Sequence, residues 1–442
     1  MKRAGVGMLL VLVSIGLGLA WRSREGAPGG ATASEAAPVQ ASAGVAPGDA
    51  PVPPVVIDAA KYPHLQAAFD AVPPSGGVVR LPPGDFRLER PLVLCRSNTR
   101  VEGAGPATCL INCNRQGQPA MIIRPADLAA NPRARLWRVQ VANFRINGDP
   151  QAINDKSTQP KGGDGLLVQN VDEFYAHGMT IDHHGGHGLH LVNCYEDPRI
   201  ADCLFTYNAQ AGVNIVGGHD IVVNANQFEE NQDALRCIDS FNLCMNGNNL
   251  DDHLRDGVVI ENTYGSVVAG NMIEECQGTA IVLGRDCYGI TLSANVIAHN
   301  FGGGIDLRDA WGCTVSANTF TITAVQAVRV GPASGRIAIT GNNFSDSFIG
   351  QKHRREGKLD EAAGIVLEGT ADIVISGNIF AGLAGEAVRA DARCRRLAIT
   401  GNVLTDLCRA SPERKAGLAL PLKGILVENN LPDEGRAHDS TK

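Results

Sequence analysis

Aromatic side chains are scarce, at 5% of the 442 residues, and charged ones reach only 19%. The chain has no excess of basic charge. Its formal net charge is −7, which argues against non-specific nucleic-acid binding and excludes nucleic acid as the expected partner. The twelve cysteines include no Cys-x-x-Cys pair, and Cys109 with Cys113 has no second pair downstream, so no zinc signature is present. Long helical periodicity is also missing. Instead, 51 glycines and recurrent Ile/Val runs between Gly, Asn and Asp favour many short strands joined by turns.

Lys2 and Arg3 precede an apolar run from Ala4 to Ala20, with small residues at Gly18 and Ala20. Residues 1–20 are therefore expected to be a signal peptide or an N-terminal membrane anchor, placing the protein outside the cytoplasm, secreted, periplasmic or tethered. Residues 21–54, rich in Ala, Gly, Pro and Ser, read as a disordered linker, and 432–442 as a disordered tail. In an exported chain the cysteines could form disulfides, but Cys203 and Cys237 fall on inward positions and read as small core residues.

Between these ends the dominant feature is an internal repeat. An apolar-x-apolar-x-(Gly/Ala)-Asn-x-apolar phrase places Asn at 226, 248, 271, 295, 318, 342, 378, 402 and 429, and Cys203 holds the same position one interval earlier. The spacing is 22 to 24 residues except where 36 residues separate Asn342 from Asn378, which marks Gly350 to Ala363 as an inserted loop, and a last interval of 27. A second phrase keeps the same period, beginning at Asp164, His187, Ala211, Asp233, Asp256, Thr279, Gly303 and Gln326. Each coil thus has at least two strands, and strands this short must pair with the next coil in parallel sheets. The expected fold is all-β: a single-stranded right-handed parallel β-helix of about 23-residue coils over 55–431, closed by an N-terminal cap containing the amphipathic segment Leu65 to Asp70. An inward Asn at each turn can satisfy backbone groups that the turn would bury.

The period also stacks side chains into columns. The strand-start column runs Asp164, His187, Ala211, Asp233, Asp256; the outward column three residues on runs Leu167, His190, Asn214, Arg236, Val259, Val282, Asp306, Arg329. Neighbouring carboxylates at Asp233 and Asp256 would split their proton affinities, as glycoside hydrolysis requires. Alternatively, β-elimination needs a base plus an Arg, or a cation such as calcium, to neutralise a uronate carboxylate, and His187, His190, Arg236 and Arg308 could serve. The catalytic candidates are Asp233, Asp256, His187 and Arg236. His183, His184, His190, Asn214, Asp306, Arg308 and Arg329 are the candidate substrate-binding residues. For Asp164 and Asp256 the competing reading is turn formation. The metal is left open, and no cofactor is required by any motif.

The segment LQAAFDAVPPSGGVVRLPPGDFRL (Leu65 to Leu88), followed by Val101-Glu-Gly-Ala-Gly and the Asn-marked coils, resembles the pectate-lyase-like right-handed β-helix superfamily. The resemblance spans nearly all of 55–431 and implies an exported, monomeric enzyme that cleaves a polysaccharide, an acidic one, by β-elimination or hydrolysis in a groove along the first sheet. It equally allows a non-catalytic carbohydrate-binding surface protein or a uronan C5-epimerase. Gly185 to Leu189 resembles the Gly-His-Gly phrase of polygalacturonases, and Asn231-Gln232-Asp233 their paired-aspartate phrase. The order is reversed here, and their Asn-Thr-Asp and Arg-Ile-Lys phrases are absent.

Overall fold

A computed structural model describes residues 55–114, 116–148, 163–346, 362–411, 417–421 and 424–432. The leader, linker, tail and nearly all of the inserted loop lie outside them. Coils of the solenoid carry three strands or more, for example Leu189–Val192, Arg199–Ala201 and Leu204–Thr206. Every pairing is parallel, and the third strands stack as a 14-stranded sheet. Inward residues form one continuous core, with ring stacks such as Phe320, Phe344 and Phe380 at centroid spacings of 4.7 and 4.6 Å.

The expected cap is present. Leu65, Ala68 and Phe69 of the helix Leu65–Asp70 are buried. Gln66 supplies what a further strand would: its amide accepts from Val93 N at 2.8 Å and donates to Val93 O at 2.9 Å. That satisfies backbone groups on a strand edge which would otherwise invite association.

The Asn ladder forms as expected. From Asn226 onward, each backbone N–H donates to the side-chain oxygen of the Asn one coil further on, at 2.9–3.0 Å. Asn342 bonds directly to Asn378, so the 36-residue interval leaves the ladder unbroken. Cys203 donates its N–H to Asn226 and holds the first position. One rung differs: Asn402 bonds to Asn430, not Asn429. The cause is the residue before each rung, which is left-handed, as at Gly270 (φ 66°), Gly341 (φ 65°) and Asn429 (φ 55°). Glycine suits that conformation and asparagine tolerates it, so Asn429 occupies the glycine position.

A second inward column went unread in the sequence: His184, Asn208, Asn231, His253, Cys276, Asn300 and Thr323, all buried. His184 N–H donates to Asn208 and Asn208 N–H to Asn231, both at 3.1 Å. His184 therefore belongs to the core and not to a substrate-binding surface, correcting the expectation above. Its Nε2 lies 3.2 Å from the Ile146 carbonyl and His253 Nδ1 lies 3.3 Å from the Asn231 carbonyl, so these nitrogens must carry the protons. The opposite nitrogens, His184 Nδ1 and His253 Nε2, have no partner among the described residues. Burial drives both rings down to about 4 from 6.5, with nearby carbonyls and carboxylates opposing it less strongly.

Acid should therefore destabilise the fold through these two rings. Unfolded histidines take up protons below about pH 6.5 while the folded rings stay neutral, so stability falls from pH 6.5 to about 4. The loss is on the order of 3 kcal/mol per ring. His184→Asn with His253→Asn, which supplies the column's own residue type, should flatten that limb in denaturant titrations at pH 7 and pH 4.5. An unchanged pH dependence would contradict the assignment.

Candidate active site

Strand register confirms the two stacked columns. Leu167, His190, Asn214, Arg236, Val259, Val282, Asp306 and Arg329 pair in sequence, coil over coil. They do not form one polar surface, however. Val259 and Val282 are buried and apolar, and divide the column in two. Asp306 lies five coils from His190, about 24 Å at the usual strand spacing.

In that distal group, Asp306 accepts from Arg308 at 2.7 Å and Arg329 at 2.9 Å, and Arg329 also reaches Glu368 at 2.6 Å. Its charges are largely self-neutralised. His183 is also elsewhere: its Nδ1 lies 2.6 Å from Asp182, and its ring stacks on Tyr207 at 4.7 Å.

The strand-start side chains are a third ladder. Asp164 Oδ1 accepts from His187 N at 2.8 Å, His187 Nδ1 from Ala211 N at 3.1 Å, Asp233 Oδ1 from Asp256 N at 3.1 Å, and Asp256 Oδ1 from Thr279 N at 2.9 Å. The turn-forming reading of Asp164 and Asp256 thus has a specific form, capping the next coil's backbone. Asp233 is fully buried and accepts from Arg255 Nε at 2.8 Å, from a second Arg255 nitrogen, and from Arg236 at 3.2 Å. With both oxygens occupied by two guanidinium groups, this carboxylate is an anchor for Arg236 and Arg255. This geometry gives no opening for the paired-carboxylate role expected of Asp233 and Asp256. Burial raises Asp256, Asp233 adds to the shift, and the Thr279 N–H opposes it.

The histidines gain a partner that sequence reasoning left out of the catalytic set. Asp164 Oδ2 lies 2.9 Å from His190 Nδ1, and the His187 and His190 rings meet edge to face at 4.8 Å. Burial raises the Asp164 carboxyl, but hydrogen bonds from His190 and the His187 N–H outweigh it and hold the group below its ordinary value. Asp164 is thus an acceptor, so His190 Nδ1 carries the proton and its Nε2 presents a lone pair. His187 is the reverse. Ala211 N–H can only donate, so His187 Nδ1 is unprotonated and Nε2 carries the hydrogen. Burial pushes His187 down to about 4, with the Asp164 carboxylate opposing and the Arg236 charge assisting. At neutral pH it is an uncharged donor.

One glycine makes room for this. A Cβ on Gly186 would lie 2.3 Å from Asp164 Oδ1, so the Gly185-Gly186-His187 phrase reflects close approach to that carboxylate. A cavity of about 470 Å³ opens over Asp164, His190, Leu167, Gln169 and Gln210. Asn214 sits between His190 and Arg236, with Oδ1 buried and unpartnered.

Donor atoms of Asp164, His187 and His190 lie within 4.8 Å of one another. Calcium takes six to eight oxygen ligands, which this nitrogen-rich set does not offer, and His187 Nδ1 is already taken by the chain. Oxygen donors do gather at Asp251, Asp252 and Glu275. Burial and mutual repulsion push Asp251 up to about 6. All twelve cysteines are free, and Cys203 and Cys237 are buried in the core as expected.

The family described as "Right handed beta helix region" matches residues 164–321 and 284–430. No curated protein matches the chain by sequence. Among solved structures, the pre-mature gene product 12 of bacteriophage phi29 is similar, with TM-score 0.53 and 13% identity over 80% of this chain and 56% of that one. Tailspike protein 3 of bacteriophage CBA120 gives TM-score 0.52 and 11% identity, covering 75% and 58%. The chain spans little more than half of either phage protein. The A-module of Azotobacter vinelandii mannuronan C-5 epimerase AlgE6 aligns with TM-score 0.46 and 14% identity, over 84% of this chain and 94% of that one. These are likenesses of fold.

Proposed function

The chain belongs to the right-handed β-helix family, and from that premise we propose that it is an exported enzyme acting on an acidic polysaccharide by removing a proton beside a uronate carboxylate. The observation that carries this reading is the opposed protonation of two adjacent histidines. His190, oriented by Asp164, offers a lone pair on Nε2, and His187 offers a hydrogen on Nε2. A base beside a neutral donor suits abstraction of the C5 proton, with the donor bonding to the carboxylate oxygen on which charge develops. Arg236, anchored by Asp233 two coils on, supplies positive charge on the same face.

In elimination, His190 takes the C5 proton, a C4–C5 double bond forms as the C4–O bond breaks, and the departing oxygen takes up a proton from the protonated His190 or from water. In epimerisation the same carbanion is reprotonated on its other face. Hydrolysis fits less well, because both oxygens of Asp233 are taken by guanidinium groups and Asp256 Oδ1 caps the Thr279 N–H.

The test is a panel of uronans and sulfated glycans in D₂O, followed by absorbance of unsaturated ends, reducing-end assay and NMR of C5. Unsaturated ends, or deuterium at C5 with inversion, are expected. New reducing ends without unsaturation, or no turnover of any uronan, would overturn the reading.

A further inference from the structure

Outside this site, five aromatic residues and a histidine line up in one row away from the core. Past the first strand of each coil the backbone bends at a left-handed residue, as at Asn193 (φ 53°), Gly217 (φ 71°), Asp239 (φ 52°) and Asn262 (φ 43°). Just beyond the bend, successive coils carry Tyr195, His219, Phe241, Tyr264, Tyr288 and Trp311. Strand register places Phe241, Tyr264, Tyr288 and Trp311 directly in line. Ring centroids follow at 5.0, 6.0, 5.3 and 5.4 Å from Tyr195 to Tyr288. The next position is Gly335, where a Cβ would come within 2.9 Å of the Trp311 ring.

These rings are not core. Tyr195, Phe241 and Tyr288 are 43%, 38% and 46% exposed, whereas Phe205, Phe228, Phe320, Phe344 and Phe380 are buried inside the coils. Three of the six tyrosines lie in this one row. A row of rings that leaves Tyr195, Phe241 and Tyr288 exposed, with His219, Tyr264 and Trp311 half-buried alongside, is costly in water and marks a contact surface. One ring per coil gives a repeat close to the length of a single pyranose in an extended chain, so successive sugars can pack their C–H groups along successive rings.

The charge beside the ridge narrows the occupant. Glu196, Asp220, Asp239, Asp286 and Asp309 lie in the same bends, against Arg285 and Arg336. Asp239 lies 3.5 Å from Arg285 and Asp220 3.3 Å from His219, yet both carboxylates remain half-exposed, and Tyr264 Oη donates to Asp286 at 3.2 Å. A nucleic acid or a polyuronate would meet repulsion there. An ammonium group is attracted both to carboxylates and to aromatic faces.

We propose that the Tyr195 to Trp311 ridge binds a glycan of amino sugars bearing free amines, lying along the solenoid axis with one sugar per coil. The surface lies around the bend from His190 and is independent of the acid–base reading.

The experiment uses the full chain and calorimetric titration with three hexamers: glucosamine, its fully N-acetylated form, and a uronate. The glucosamine oligomer should bind at least tenfold more tightly than the acetylated one. Tyr264→Ala/Tyr288→Ala should reduce that binding at least tenfold while the thermal midpoint stays unchanged, these rings being on the surface. His190→Ala should leave it intact, separating this surface from the proton-abstraction site. Equal binding of the acetylated hexamer, preference for the uronate, binding unaffected by the double substitution, or no binding at all would overturn the proposal. So would a dimer, seen by sedimentation, that the double substitution dissolves.

Discussion

Replacing His190 by alanine is expected to cut turnover by about 10²- to 10⁴-fold, the usual contribution of a positioned general base. The more informative variant is Asp164→Asn. Its oxygen can still accept the His187 N–H, so the backbone cap survives. Its amide nitrogen would then face His190 Nδ1, and a donor there forces the proton to His190 Nε2. The base is lost by tautomer alone, so kcat should fall nearly as far as in His190→Ala while KM and the thermal midpoint change little. Asp233→Asn is the contrast. It leaves the His190 dyad untouched but weakens the hold on Arg236 and Arg255, so KM should rise more than kcat falls. Equal, large kcat losses in Asp233→Asn and Asp164→Asn would instead favour a carboxylate mechanism.

The largest stability effect is expected in the middle of the Asn ladder. Asn295 accepts from Asn271 N and Nδ2, both at 3.0 Å, and its own Nδ2 donates to Val268 O and Asn318 Oδ1, both at 3.0 Å. Asn295→Ala strands buried donors and acceptors on both sides. Each unsatisfied group costs about 1–3 kcal/mol, so a loss of roughly 3–5 kcal/mol is expected. The corresponding change at Asn430, which is only partly buried, should cost clearly less. Chemical denaturation of the two variants checks this, with equal losses at both positions counting against the ladder as the source of stability.

What could be read from the sequence follows from how strictly each position constrains its residue. A turn that needs a left-handed residue and then an inward amide admits few solutions, so Gly-Asn and Ala-Asn recur visibly. The same strictness misplaced the last rung, because Asn429-Asn430 offers two asparagines and only the left-handed backbone at Asn429 decides between them. The column from His184 to Thr323 was illegible for the opposite reason. Histidine, asparagine, cysteine and threonine all fit it, so no single letter marks every coil, and His184 reads as a groove residue.

At the site, period alone stacked Asp164, His187 and His190, but not their bonds. Whether a carboxylate caps a backbone N–H, orients an imidazole or both depends on side-chain direction, which spacing does not carry. Arg255 illustrates the same limit. It stands beside Asp256 in the chain yet satisfies Asp233 on the coil before, fixing that carboxylate as an anchor.

The division of labour between the two histidines can be measured without a substrate. In ¹⁵N-histidine NMR of the intact protein at neutral pH, His187 should appear as the Nε2–H tautomer with a bare Nδ1, and should stay neutral down to about pH 4. His190 should carry its proton on Nδ1, and should lose that preference in Asp164→Asn. A His187 proton on Nδ1, or a His187 ring that charges near pH 6.5, would contradict the account.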